Sequence, residues 1–252
     1  LDLLEQGAAL KIRMFGHQSS AARIAFRDAV MACNSLAMAT LGGGGMKKCR
    51  SLLARAMGLA TGRRKLGGGK GKGRSRGKLW ASFGSDPALE VLTLNNTACL
   101  FRRLGEPKQA LKCLQRAVEV ARMAGSTEHL AVTHLNACAV LSQLGRHEVA
   151  LEHAQSAVFY GQEGLIAPSW NNEKPERRGL HEVGEQGGRQ GRLATLAVSY
   201  YNLAVELEFT NHKDLCFHWY NKAVLLAKNT GIHNEELLKT FQRSFAAARK
   251  VN

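Results

Sequence analysis

The sequence is poor in proline and aromatic residues and has no long uninterrupted hydrophobic run. Four prolines in 252 residues, with 45% hydrophobic and 22% charged residues, exclude a collagen-like or mostly disordered chain. No run approaches the roughly 18 apolar residues of a membrane-spanning helix. The six cysteines are too few for a disulfide scaffold and show no Cys-x-x-Cys spacing, so we expect free thiols in a reducing compartment. The length suits one large domain or two small ones.

Acidic residues are missing from one long interval. Between Asp28 and Asp86 there is no Asp or Glu, whereas twelve Lys and Arg residues lie there. These residues account for most of the net charge of +15. A chain with this balance favours anionic partners.

An internal repeat appears in four copies. The two best-matched copies lie 40 residues apart, and the copy nearest the N-terminus is the weakest. The copies are residues 30–60, 92–121, 132–161 and 198–227. Within each copy, apolar residues recur every three or four positions on both sides of a Gly or Asn. This predicts two helices joined by a turn whose Gly or Asn takes the left-handed conformation.

Small residues are predicted to lie where the helices of a copy approach closely, because a large side chain there would push the helices apart. They are Ala98, Ala110 and Ala117, then Cys138, Ala150 and Ala157, then Ala204, Cys216 and Ala223, and finally Ala37, Cys49 and Ala56. The turn residues are Gly44, Gly105, Gly145 and Asn211. Pro107 is placed in the first turn of the helix that follows Gly105.

This arrangement resembles the tetratricopeptide repeat, which has a small residue in its first helix, Gly or Asn at the turn, and two small residues seven apart in its second helix. The 40-residue period departs from the usual 34. It is more similar to the longer-helix repeats of kinesin light chains and Leu-Gly-Asn-repeat adaptors. The family's large aromatic residue early in the first helix is replaced by Leu94 and His134. The resemblance implies an all-α, right-handed superhelical solenoid of helix-turn-helix repeats.

Two insertions interrupt the repeats and are expected to be disordered. Further helices are predicted at residues 2–15 and 234–250, and the second would cap the solenoid. The expected organisation is N-terminal helices with a divergent repeat (1–61), a basic Gly-rich loop (62–86), two well-matched repeats (87–161), a flexible polar insertion (162–190), and a repeat with a capping helix (191–252).

No catalytic or metal-binding pattern is present. The Gly-rich segment 67–75 lacks the spacing of a Walker A loop. The histidine pairs 129/134 and 147/153 do not have the i, i+4 spacing that places two metal ligands on one helix face. We therefore expect no enzyme activity, cofactor, metal or small-molecule substrate.

The resemblance implies that the first helices line a concave groove and bind an extended peptide or a helix of a protein partner. The matching groove positions are Asn95, Asn96, Arg102, Arg103, Asn136, Gln143, Tyr201, Asn202 and Glu208. The asparagines would hydrogen-bond a peptide backbone, since each offers a donor and an acceptor. Alternatively, they satisfy polar groups of neighbouring helices.

The basic loop has three interpretations. It is a solvated segment without a specific role, or it binds a polyanion such as RNA or an acidic tubulin tail, or residues 47–65 form a basic amphipathic helix of the calmodulin-target type. The repeat register weakens the third, because it buries Leu52, Leu53 and Ala56. The loop residues concerned are Arg63, Arg64, Lys65, Lys70, Lys72, Arg74, Arg76 and Lys78.

The sequence therefore predicts a non-enzymatic scaffold or adaptor that binds a protein partner and carries a basic loop for an anionic one. The alternative is a helical-repeat RNA-binding protein, or a microtubule- or cilium-associated protein, that acts through the basic segment. By analogy with long-helix repeats, we expect a cytoplasmic location at the cytoskeleton or the cilium.

Overall fold

The computed structural model describes residues 1–62, 85–127, 129–166, 188–229 and 235–251. These ranges contain helices and turns but no strand. The helices are α1 (Asp2–Phe15), α2 (Ser20–Gly42), α3 (Met46–Ala60), α4 (Pro87–Arg103), α5 (Pro107–Met123), α6 (Leu130–Gln143), α7 (His147–Ile166), α8 (Arg189–Phe209), α9 (Lys213–Asn229) and α10 (Glu235–Val251). The predicted all-α class is confirmed, as are the helices near both ends of the chain.

The described residues divide into two compact units. Unit 1 contains α1 to α5 and extends to Ser126, and unit 2 contains α6 to α10 and begins at Thr127. Within each unit, every helix packs against the next one. In addition, α2 packs against α4 in unit 1, and α6 packs against α8 in unit 2. This is the packing of helix-turn-helix repeats, whose hydrophobic faces are covered by their neighbours.

The turns between paired helices have the predicted left-handed residue. The φ angles are 81° at Gly44, 74° at Gly105, 70° at Gly145 and 64° at Asn211. After Gly105, the amide of Glu106 donates to the carbonyl of Phe101 at 2.9 Å, and Arg146 and His212 make equivalent bonds after their own turns. These bonds satisfy carbonyls that would otherwise lack a partner at the helix end. The second helix then begins at once, with Pro107 as the first residue of α5.

The predicted small residues are all buried. Each is at most 3% exposed, and most have no exposed surface at all. Ala110 and Ala117 on α5 and Ala150 and Ala157 on α7 belong to this group. The structure thus confirms that close helix packing explains the repeated pattern.

The predicted insertions lie mainly outside the described residues. At the edges of the second one, α7 continues to Ile166 and α8 begins at Arg189, so both helices extend into the range 162–190 that was expected to be a loop. In unit 1, Asp86 caps α4 by accepting a hydrogen bond from the amide of Leu89 at 3.2 Å. The helix therefore begins at the predicted edge of the first insertion.

Candidate partner-binding faces

The predicted binding residues lie on the first helices of three repeats, α4, α6 and α8. In unit 1 the first helices are α2 and α4, and in unit 2 they are α6 and α8. We call the surface along each pair the first-helix face of that unit. The two members of each pair pack against each other, so side chains on adjacent first helices can share hydrogen bonds.

A polar cluster joins the first helices of unit 1. The buried Asn34 of α2 donates through Nδ2 to Thr93 Oγ1 of α4 at 3.0 Å. Its Oδ1 accepts from Nδ2 of Asn96, also on α4, at 2.9 Å. Thr93 in turn donates to the Leu89 carbonyl at 2.7 Å. Asn96 is half-buried. The hydrogen-bond network holds its side chain in one orientation.

Asn96 is involved in helix packing and still has hydrogen-bonding capacity for a partner. One amide hydrogen is used by Asn34, and Oδ1 of Asn96 accepts no hydrogen bond from a described residue. The half-buried amide can therefore still accept from the backbone of a peptide. The packing interpretation therefore holds for Asn96, and its role in binding stays a prediction.

Asn95, the neighbour of Asn96, lies in the core. It is 2% exposed, and its Nδ2 donates to the carbonyl of Val91 at 3.1 Å. The helix α4 packs against α2, α3 and α5, and Asn95 lies on a covered side of it. The alignment of the repeats placed both asparagines on the correct helix but did not reveal which of the two is accessible. Asn95 does not belong to the first-helix face.

The two arginines predicted on α4 are both exposed. Arg102 and Arg103 lie in the last turn, where their positive charge complements the helix C-terminus. They directly follow Phe101, whose ring lies 5.9 Å from the guanidinium carbon of Arg50 on α3. Positive side chains from α3 and α4 are therefore neighbours at this end of unit 1.

In unit 2, two of the predicted residues are held by internal contacts. The Tyr201 ring stacks on Phe241 with centroids 4.6 Å apart, and its hydroxyl lies 3.1 Å from Ser244 Oγ of α10. Glu208 is exposed but accepts from the Tyr220 hydroxyl at 2.7 Å. These contacts fix α9 and α10 on α8, so both side chains have a structural role.

The remaining predicted residues of unit 2 differ in exposure. Asn136 on α6 and Asn202 on α8 are half-buried, and Gln143 is exposed at the end of α6. Asn136 and Asn202 occupy the same repeat position as Asn96 of unit 1. The same polar residue type therefore recurs on both first helices of this unit.

Sequence reasoning missed two histidine contacts in unit 2. The Nδ1 atoms of His134 and His153 are 2.9 Å apart, and the ring of Tyr160 stacks on His134. Burial, reinforced by the proximity of His153, lowers the pKa of His134 to about 4. Burial also lowers the pKa of His153. The signal available in the sequence was that His134 replaces the family's aromatic residue, which points to an interior position.

The second missed contact joins α7 to α8. His147 Nδ1 lies 2.8 Å from Oε2 of the buried Glu206, and the ring of Phe209 stacks on His147 at a centroid distance of 4.0 Å. Burial, and then Glu206, raise the pKa of the Cys138 thiol to about 12. Cys138 is therefore protonated at neutral pH and is not an activated nucleophile.

The predicted basic-loop residues lie outside the part of the chain that the structure describes. They are Arg63, Arg64, Lys65, Lys70, Lys72, Arg74, Arg76 and Lys78. Among the residues that the structure describes, no three His, Cys, Asp or Glu side chains are placed to hold a metal ion. No described helix has the length and apolar character needed to cross a membrane.

Comparison with known proteins places the chain among helical-repeat proteins. Residues 86–158 match the family described as tetratricopeptide repeat. The crystal structure of BtubC (BKLC) from P. vanneervenii superposes with a TM-score of 0.59 at 17% identity, covering 99% of this chain and 85% of that one. No curated protein matches the sequence. The structural similarity thus extends the fold beyond the matched repeats.

Proposed function

We propose that the chain is a non-enzymatic scaffold that binds a peptide or helix of a protein partner on its first-helix faces, since residues 86–158 match the tetratricopeptide repeat family. Repeats of this type generally mediate protein–protein interaction. The residues that would bind are Asn96 and Arg103 in unit 1 and Asn136, Gln143 and Asn202 in unit 2.

The orientation of Asn96 is the observation that supports this proposal most. The Asn96 side-chain amide donates to Asn34, which in turn donates to Thr93. The Oδ1 atom of Asn96 remains available to a hydrogen-bond donor of the peptide. A peptide that binds there meets a side chain whose rotamer is already selected. Less side-chain entropy is then lost on binding.

The experiment is a selection of 12-residue peptides displayed on phage against the full chain, followed by affinity measurements on the enriched peptides. Two variants test the face. One combines Asn96→Ala, Asn136→Ala and Asn202→Ala, and the other is Arg103→Glu, which alters only an exposed side chain. The matched control is Arg249→Glu, an equally exposed arginine on α10.

We expect the selected peptides to bind both face variants at least tenfold more weakly than the unaltered chain and to bind the control normally. Thermal unfolding of each variant separates loss of binding from loss of folding. Peptides that bind all three variants equally well, or a selection that enriches none, would contradict the proposal.

A second candidate function is binding of an anionic partner through the basic loop, as an RNA-binding or microtubule- and cilium-associated protein of the cytoplasm. The acid-free interval between Asp28 and Asp86 favours it. Deletion of residues 62–79 followed by co-sedimentation with RNA and with microtubules over a salt series tests it. Binding that is lost on deletion and falls steeply with salt supports this candidate. Peptide binding, measured beside it, that survives deletion and varies little with salt supports the scaffold.

A further inference from the structure

A second positively charged surface lies on unit 1, among the described residues and separate from the basic loop. It is formed where the start of α3 meets the end of α4. Its members are Lys47, Lys48, Arg50, Arg102 and Arg103, all exposed. We call it the basic turn surface.

Hydrophobic packing holds the two parts of this surface together. Met46, the first residue of α3, and Leu104, which ends α4, both pack against one buried cluster that includes Leu53 and Leu100. In addition, the guanidinium carbon of Arg50 lies over the Phe101 ring, 5.9 Å from its centroid. The relative position of the cations is therefore set by packing among described residues of unit 1.

These cations differ from Arg55 and Arg116 of unit 1 in lacking acidic partners. Arg55 on α3 pairs with Asp2 and Glu5, each at 2.5 Å. Arg116 on α5 lies 3.3 Å from Glu119 and 4.0 Å from Glu90. By contrast, no residue of the basic turn surface forms an ion pair with a described residue. Its charge is thus left for an external anion.

The position of the two lysines reinforces this conclusion. Lys47 and Lys48 lie in the first turn of α3, which contains no acidic residue. Cations are disfavoured at a helix N-terminus, because the helix dipole places positive charge there as well. A bound carboxylate would relieve the repulsion between the lysines and the helix end.

We propose that the basic turn surface binds an acidic peptide segment, a short run rich in Asp and Glu on a partner protein. Three of its five cations are arginines, whose planar guanidinium groups match carboxylates in a bidentate manner. The only aromatic residue on α3 and α4 is Phe101, and Arg50 already covers it, so the surface offers no ring on which a nucleic-acid base could stack. This binding surface is additional to the first-helix faces and shares Arg103 with the face of unit 1.

The test uses fluorescence anisotropy with the full chain and a labelled 12-residue peptide of alternating Glu and Ser. The comparison probes are the same peptide with Gln in place of Glu and a 12-nucleotide single-stranded RNA. The variants are Lys47→Glu with Lys48→Glu, and Arg102→Gln with Arg103→Gln. The matched control, Lys11→Glu with Arg243→Glu, makes the same charge change at exposed positions elsewhere.

We expect the lysine variant to bind the Glu peptide at least tenfold more weakly and the control variant to lose less than threefold. Glutamate is favoured at a helix N-terminus, so the lysine variant should fold normally, which circular dichroism checks. A carbodiimide, which joins lysine amines directly to carboxylates in contact with them, should cross-link the peptide to Lys47 or Lys48.

Three outcomes would overturn the proposal: equal losses in the lysine variant and its control, cross-links only to other lysines, or binding of the RNA but not of the Glu peptide. Failure here is distinguishable from failure of the scaffold function. Peptides selected on the first-helix faces should bind the lysine variant normally, since their predicted contacts lie on other side chains.

Discussion

The Nδ1 atoms of His134 and His153 lie 2.9 Å apart across the α6–α7 helix pair, so one imidazole donates a hydrogen bond to the other. One ring must supply an unprotonated nitrogen as the acceptor, so the bond is lost when both rings are protonated. Burial, and for His134 also the second imidazole, lowers both pKa values. The contact is therefore sensitive to acid.

The stability of the protein should fall in acid because of this pair. The pKa of His134 is about 4 in the folded protein, below the ordinary value of 6.5. Between these two pH values the unfolded chain takes up a proton that the folded chain does not, so the free energy of unfolding decreases as the pH falls. The decrease attributable to His134 should be on the order of 2 kcal/mol, allowing for partial solvent screening.

Urea denaturation at pH 7 and pH 4.5 measures this effect. His134→Phe keeps an aromatic ring against Tyr160 and should remove part of the pH dependence. His17→Phe, a change at an exposed histidine, should leave the dependence unaltered. If the wild-type protein and His134→Phe lose the same stability between the two pH values, His134 does not contribute to the loss of stability in acid.

The ion pair between Arg55 and Glu5 should contribute strongly to the attachment of α1. The Glu5 carboxylate is buried, and Arg55 Nε donates to it at 2.5 Å. Arg55→Ala should lower the free energy of unfolding by about 2–4 kcal/mol, because a buried carboxylate loses its guanidinium. Arg116→Ala, which breaks an exposed pair with Glu119 and a 4.0 Å contact with Glu90, should cost less than about 1 kcal/mol. Equal losses in the two variants would show that burial of Glu5 is unimportant.

Enlarging a small residue inside a repeat should destabilise it. Ala157 of α7 has no exposed surface, so Ala157→Leu forces the packed helices apart. We expect a loss of about 1–3 kcal/mol in urea denaturation. The same change at the exposed Ala247 of α10 should have little effect. An unchanged stability of Ala157→Leu would argue against close packing at this position.

Stability should depend on which residue replaces Asn211 in the turn before α9. Asn211 has a φ of 64°, a conformation that glycine adopts without strain and alanine does not. Asn211→Gly should therefore be neutral or stabilising, and Asn211→Ala should cost about 1 kcal/mol. Thermal denaturation of the two variants, which differ by one methyl group, provides the measurement. A more stable alanine variant would contradict the left-handed conformation.

The repeat architecture could be predicted from the sequence because its causes are local. A left-handed turn residue such as Gly105 or Asn211 and an apolar spacing of three and four each act within a few neighbouring residues. Small residues such as Ala117 reveal close packing, since they recur at the same place in every copy. The helix pairs and their tight contacts therefore followed from residue types and spacing alone.

Only the tertiary structure decided which side chains meet and which remain accessible. Asn95 and Asn96 are adjacent in the chain, yet one is buried and the other contacts Asn34 from α2. His147 contacts Glu206, which lies 59 positions further along the sequence. Such contacts depend on how each helix is rotated about its axis when its neighbours pack on it. That rotation is set by the fit of many side chains at once, and no local pattern encodes it.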